Sequence, residues 1–112
     1  MQLKKLKCST QRAENGRVAI DILKESLPGT FDMVLMDLRM PVMDGLEATK
    51  LIRDELNMKY LPIVALTGEM SADIRKECDE IGFDNFFQKP LKKDMLEGIV
   101  NKYKAARDGF DL

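Results

Sequence analysis

VLMDLRMPVMDG, from Val34 to Gly45, is the stretch on which the rest of the chain is read. An apolar run from Met33 to Met36 ends on the carboxylate of Asp37, and a Met-Pro step and the Asp44-Gly45 pair follow at once. An unbroken apolar run of this length suits a strand buried on both faces, as in a parallel sheet covered by helices. In such sheets ligands and chemistry gather at the carboxyl ends of the strands, where the strand fixes a side chain and the loop leaves it open to solvent. Asp37 falls at such an end. A carboxylate there either caps the turn that follows or acts as a nucleophile toward a phosphoryl donor once the incoming oxygens are neutralised.

Working outward, short apolar runs alternate with segments of helical period, the pattern of an α/β domain. Thr10 to Ala13 reads as a weak strand. AENG (Ala13 to Gly16) supplies a turn and cap before a helix through about Leu27, with Val18, Ala19, Ile22 and Leu23 on its inner face. LPGT ends it. Asp44 caps a helix to about Leu56 that turns Ala48, Leu51, Ile52 and Leu56 to one side. Pro62 to Thr67 is a second buried strand. From Ser71, the spacing Ile74, Cys78, Ile81, preceded by Met70, marks a buried stripe on a helix that Gly82 terminates. Phe86 to Gln88 is a last short strand, and after Pro90 a helix from about Lys92 to Arg107 buries Met95, Leu96, Ile99, Val100 and Tyr103. The closing RDGFDL reads as a frayed tail. Residues 1–112 read as a single domain whose tail, 108–112, frays.

Bulk properties exclude several classes of function. At 112 residues, 45% of them apolar and 33% charged, the chain has the size and balance of one globular domain. Eighteen basic and nineteen acidic residues leave a net charge of -1, which offers no electrostatic footprint for direct nucleic acid binding or for an anionic membrane. No apolar stretch is long enough for membrane insertion, and MQLKKLK runs into polar residues instead of a signal-peptide core. The expected location is cytoplasmic, or nuclear in a eukaryote. Cys8 and Cys78 form no CxxC motif and read as reduced thiols, Cys78 as a small core residue. The absence of histidine removes the usual zinc sets and any Ser-His-Asp or Cys-His nucleophile. With no Walker or dinucleotide loop either, phosphoryl chemistry here must begin with a donor from outside the chain.

Taken with ALTGE (Ala65 to Glu69) and FFQKP (Phe86 to Pro90), the Asp37 motif resembles the receiver domain of two-component response regulators, over about Ala13 to Ala106. The resemblance implies a flavodoxin-like, doubly wound parallel sheet of order 2-1-3-4-5. It implies that Asp37 is the phosphoacceptor, that the Thr67 hydroxyl and Lys89 both contact phosphoryl oxygens, and that the Lys89-Pro90 bond is cis. It implies that Phe86 is a switch aromatic that moves inward when Thr67 is drawn to the phosphoryl group, coupling Asp37 to the face formed by the last strand and its flanking helices. Lacking a tyrosine hydroxyl, such a switch rests on packing alone. Read only from the residues, Thr67 is also a β-favouring residue bonded to backbone, Lys89 a solvated lysine and Phe86 a core aromatic. The implied function is a phosphorelay switch, not a metabolic enzyme, loaded from the phosphohistidine of a histidine kinase or a histidine phosphotransfer protein.

The chain departs from the family at its start. Receivers open with a strand ending in two acidic residues, one of which joins Asp37 and the backbone carbonyl of Arg39 in binding Mg²⁺; here MQLKKLK resembles only the tail of the first helix. The expectation is a receiver lacking its first strand and most of its first helix, with Mg²⁺ binding weakened or lost. That strand is central in the family order. If it buries about four or five large side chains at roughly 1.5 to 3 kcal/mol each, its loss rivals a domain's net stability of about 5 to 15 kcal/mol. The exposed edges would then pair after a shift, or take a strand from a second copy in a homodimer or strand exchange, or from a partner. The alternative function is a degenerate receiver that works as a binding or dimerisation module without phosphorylation. A phosphatase of the haloacid dehalogenase type needs an aspartate two residues beyond Asp37, where Arg39 stands.

Overall fold

A computed structural model describes residues 11–27, 29–69 and 71–110. Its elements are α1 (Gly16–Glu25), β1 (Val34–Asp37), α2 (Gly45–Asp54), β2 (Ile63–Thr67), α3 (Ala72–Ile81), β3 (Asn85–Gln88) and α4 (Lys93–Phe110). Three helices start where a side-chain oxygen takes a backbone N–H that the first turn leaves without a partner. Asn15 accepts from Val18 at 3.0 Å, Asp44 from Glu47 at 2.9 Å and Ser71 from Ile74 at 3.2 Å. Gly82 ends α3 at a φ of 111°, a left-handed turn that costs glycine nothing, and its N–H donates to the Cys78 carbonyl.

The strands are all parallel, in the order β1-β2-β3. This is the α/β architecture implied by the resemblance, with the described strands following one another as the last three do in the order 2-1-3-4-5. Gln11 to Ala13, expected as part of a weak strand, are not a strand. The family order pairs that segment only with the first strand, so the three described strands offer it no ladder. Thr10, Cys8 and Met70 lie outside the described residues.

Apolar side chains fill both faces of the sheet. Ile63 and Ala65 of β2 pack with Ile20, Leu23, Met36, Ala48, Ile52, Cys78 and Phe83 under α1, α2 and α3. Val64 points the other way, to Ile99 and Tyr103 of α4, with Met33, Leu35, Phe87 and Leu91 around them. The alternation along β2 is the two-residue period of a strand with a core on each side.

Two helices present faces other than those expected. In α1 the buried residues are Gly16, Ile20 and Leu23, whereas Ala19 and Ile22 are half-buried and Val18 is exposed. The rotation is set at Gly16, whose N–H donates to the Met43 carbonyl at 2.9 Å, and where a Cβ would stand 2.8 Å from that of Ala48. Positions i+4 and i+7 from this contact are Ile20 and Leu23. In α4, Met95 is exposed, because the buried stripe runs through Leu96, Ile99, Val100 and Tyr103, and Met95 falls beside it. Boundaries shift as well: α1 stops at Glu25, α2 at Asp54, and α4 continues past Arg107 to Phe110.

A buried charge joins the amino-terminal ends of the strands. Arg53, on the last turn of α2, is only 7% exposed. Its guanidinium donates to the carbonyls of Gly82 (3.0 Å), Met58 (2.7 Å) and Leu61 (2.7 Å) and to the Asp84 carboxylate (2.9 Å). The same Asp84 oxygen accepts the Ile63 N–H at 2.8 Å, while the Asp84 N–H donates to the Ile63 carbonyl at 2.9 Å. The start of β2 and the approach to β3 are thus aligned through one side chain. Arg53→Met removes four donor contacts and is expected to cost about 3 kcal/mol in urea denaturation, whereas exposed Arg17→Met changes stability by less than about 0.5 kcal/mol.

Cys78 is a buried, free thiol. Burial first, then the nearby Glu77 and Asp79, push its pKa from 9.0 to about 11. Burial also raises Tyr103, the larger effect against a lowering hydrogen bond from Asn85. Between pH 9 and about 11 the unfolded chain releases the Cys78 proton while the folded chain keeps it, so stability is full below this window and falls as pH rises through it. Urea midpoints measured across that range are expected to decline, and less steeply in Cys78→Ala once its own lower starting stability is subtracted.

Candidate functional site

The carboxyl ends of the three strands bring Asp37, Thr67 and Lys89 together. In the register of the sheet, Asp37 lies opposite Leu66 and Thr67 opposite Gln88, so the strands end nearly flush. Leu38 continues the pairing by donating to the Leu66 carbonyl at 2.9 Å, and Lys89 donates its N–H to the Thr67 carbonyl at 2.7 Å. One pitch of the sheet, about 4.8 Å, then separates neighbouring backbones, within reach of a shared small anion.

Asp37 has both carboxylate oxygens engaged. Oδ1 accepts the backbone N–H of Arg39 at 3.0 Å, and Oδ2 is paired with the Lys89 ammonium. The Lys89-Pro90 peptide is cis, the geometry the resemblance implies. Thr67 is 2% exposed, and its hydroxyl makes two bonds to one residue, donating to the Glu69 carbonyl at 3.0 Å and accepting the Glu69 N–H at 3.1 Å. Phe86 sits opposite Ala65 and packs, half-buried, against the core beneath α1 to α3, while Phe87 faces the other core.

Two features of the site carry no sequence signal. Arg39 reaches across to Glu69, its Nη2 lying 2.8 Å from the carboxylate, with both side chains mostly exposed. The pair bridges the loop after Asp37 and the loop after Thr67. Val42, 83% exposed, adopts a φ of 67°, a conformation that β-branched residues rarely take, within a tight turn closed by Met43 N–H donating to the Pro41 carbonyl at 2.7 Å. Nothing in a valine announces such a turn.

For a divalent cation the resemblance names the Asp37 carboxylate and the Arg39 carbonyl. Among the described residues no group of three or more Asp, Glu, Cys or His is placed to hold a metal ion. Among the described residues, the Asp37 carboxylate and one main-chain carbonyl fall short of the oxygen-rich octahedral set that Mg²⁺ demands.

A profile of the response regulator receiver domain family matches residues 1–101. The chain is 36% identical over 109 residues to hybrid signal transduction histidine kinase M of Dictyostelium discoideum, a match covering 95% of this chain and 4% of that protein. It is 40% identical over 97 residues to the osmosensing histidine protein kinase SLN1 of Saccharomyces cerevisiae, covering 85% of this chain and 8% of that one. Among solved structures, the receiver domain of sensor histidine kinase PA1611 from Pseudomonas aeruginosa, with a magnesium ion in its active site cleft, superimposes with a TM-score of 0.80 at 30% identity, covering 91% of this chain and 81% of that one. Chemotaxis protein CheY4 of Vibrio cholerae gives a TM-score of 0.81 at 27% identity, covering 91% and 82%.

The chain belongs to the response regulator receiver domain family, whose members act as phosphoacceptor switches in two-component signalling and not as conventional enzymes. It spans less than a tenth of the length of the two histidine kinases just described. Among the described residues no helix is long and apolar enough to cross a membrane. Receivers generally coordinate Mg²⁺.

Gly45 holds the loop after Asp37 in place: a Cβ there would lie 2.3 Å from the Asp37 carbonyl oxygen and 2.8 Å from Met36. Gly68, on the neighbouring loop, has open space around it. Gly45→Ala is therefore expected to cost about 2 kcal/mol or more in urea denaturation, by forcing backbone against backbone, while Gly68→Ala stays within about 0.5 kcal/mol of the parent.

Proposed function

We propose that this chain is a receiver unit that accepts a phosphoryl group on Asp37 from a phosphohistidine carried by a histidine kinase or a histidine phosphotransfer protein. The observation that carries the reading is the Lys89 ammonium on the Asp37 carboxylate, at the edge where Thr67 ends the adjacent strand. An Asp37 oxygen forms the new O–P bond, the P–N bond of the donor breaks, and its electron pair returns to the imidazole nitrogen. Lys89 exchanges its carboxylate partner for a phosphoryl oxygen as negative charge grows there. The Thr67 hydroxyl, now turned back on Glu69, has a stronger acceptor within reach once the group arrives. Thr67 and Phe86 stand on neighbouring paired strands, so a shift of Thr67 toward Asp37 would give the switch a route to the β3 and α4 side. The setting is cytoplasmic, with nuclear placement in a eukaryote, where such donors are found.

One observation favours the second reading, a module that binds or dimerises without phosphorylation: the Mg²⁺ donor set is short. In that case a second copy or a partner strand would act on the sheet edge. Intact mass of the purified chain after incubation with acetyl phosphate and Mg²⁺ decides between them. The parent chain is expected to gain one phosphoryl group and Asp37→Asn none; an unmodified parent chain would leave only the binding module.

A further inference from the structure

Helices α2 and α3 pack against the same core and leave a groove between them. It consists of two adjoining hollows of about 550 Å³ each, joined where Asp44, Leu46 and Glu77 line both. Its floor is apolar: Leu46, Ile74 and Ile81 are half-buried, touching the core on one side and lining the groove on the other. Ile74 and Ile81 stand two turns apart on α3, about 10 Å along the helix. The rim is acidic. Glu47 and Asp54 on α2 and Glu77 and Glu80 on α3 are exposed, and none of them is in an ion pair among the described residues. Asp44 adds its carboxylate, with one oxygen committed to the Glu47 N–H. Against these stand Lys50, which lines the groove, and Arg39, which is already paired with Glu69. Arg75 and Lys76 of α3 line neither hollow. A chain whose net charge is only -1 thus gathers a local excess of negative charge over an apolar floor.

We propose that this groove docks a basic amphipathic helix of a partner protein, its apolar side chains on Leu46, Ile74 and Ile81 and its Lys or Arg side chains on the carboxylates of the two walls. A helix fills such a groove with apolar anchors that recur every three or four residues. At ten residues each, α2 and α3 run about 15 Å, room for about three turns of a docked helix. Charge selects the occupant: a basic segment is attracted by both walls, whereas an acidic segment or a nucleic acid is repelled by both. A second copy of this chain matches less well, because the exposed side of α1 mixes Arg17 and Lys24 with Asp21 and Glu25, and α4 opens with Lys93 beside Asp94. Arg39 and Thr67 line one end of the groove, so the docked helix finishes beside the Asp37 site, while Asp37 itself lines neither hollow. Docking therefore does not depend on phosphorylation of Asp37.

The test is binding of a fluorescein-labelled helical peptide of leucine and lysine, about fourteen residues long, to the full chain, read by fluorescence anisotropy. The parent chain is expected to bind it, less tightly as salt rises from about 50 to about 150 mM, and not to bind the same peptide with glutamate at every lysine. Glu77→Lys combined with Glu80→Lys is expected to weaken binding about tenfold, and Ile74→Thr about threefold by removing apolar contact. Asp21→Lys combined with Glu25→Lys on α1 makes the same change in net charge and is expected to leave binding within about twofold of the parent. Amide shifts of the complex are expected to change along α2 and α3. The four reversed acids are all exposed, and urea midpoints verify that each variant is folded at the assay temperature. Equal weakening by the α1 and α3 pairs would mean that only overall charge is felt, and overturns the proposal. A parent chain that binds neither peptide, or shift changes confined to α1 or α4, also overturns it. Self-association of the chain in sedimentation, abolished by Glu77→Lys with Glu80→Lys, would give the groove to a second copy instead of a partner.

Discussion

The buried guanidinium of Arg53 sets the frame on which the site depends. A charge taken out of water is costly unless its donors are matched, and here three carbonyls and one carboxylate meet it. Those partners come from the turn after α2, from the residue before the Pro62-Ile63 entry to β2, from the left-handed cap of α3 and from the residue before β3. Because Asp84 also bonds both the N–H and the C=O of Ile63, the same cluster fixes how far β2 and β3 are offset. A parallel strand has one residue per step of about 3.3 Å, and slipping by one would turn Thr67 to the opposite face. Alignment at the amino-terminal end therefore decides which side chains meet at the carboxyl end.

At that opposite end the restraints are small residues and main chain. Gly45 lets α2 begin directly against the Asp37 carbonyl, and Gly16 lets α1 grip the Met43 carbonyl from the other side. Between them the chain is forced through Val42 at positive φ, a strain of order 1 to 2 kcal/mol for a non-glycine residue. The loop tolerates it because both of its ends are tied. Asp37 is consequently presented on a rigid support, its carboxylate held by the Arg39 backbone N–H and the Lys89 ammonium.

The relatives place such a unit within much longer histidine kinases as well as in single-domain chemotaxis proteins. One fold serves both because the chemistry is contained in the loops at one edge of the sheet, while partners are read by the surfaces around them. Around Asp37 the described side chains set the Lys89 ammonium on its carboxylate and the Arg39 guanidinium against Glu69, with Asp44 capping the helix that follows.

Much of this was legible in the order of residues. Strands β1, β2 and β3, the caps at Asp44 and Ser71, the stop at Gly82 and the placement of Asp37 at a strand end follow from local rules: apolar runs, capping side chains and a glycine that accepts positive φ. The three motifs that carry the resemblance lie on those same elements. The inner face of α1 was not legible, since Val18 and Ile22 are as apolar as Ile20 and only the contact of Gly16 with Met43 and Ala48 selects the rotation. Met95 was misplaced for a related reason, being adjacent to a stripe that α4 satisfies without it. The inward course of Arg53 and the reach of Arg39 to Glu69 join residues about thirty positions apart. The sequence by itself determined which segments are strands and helices and which carboxylate ends a strand, because those depend on neighbours along the chain. Tertiary structure alone decided which helix face is buried and which charges meet, because each such contact depends on how far one strand is shifted against the next.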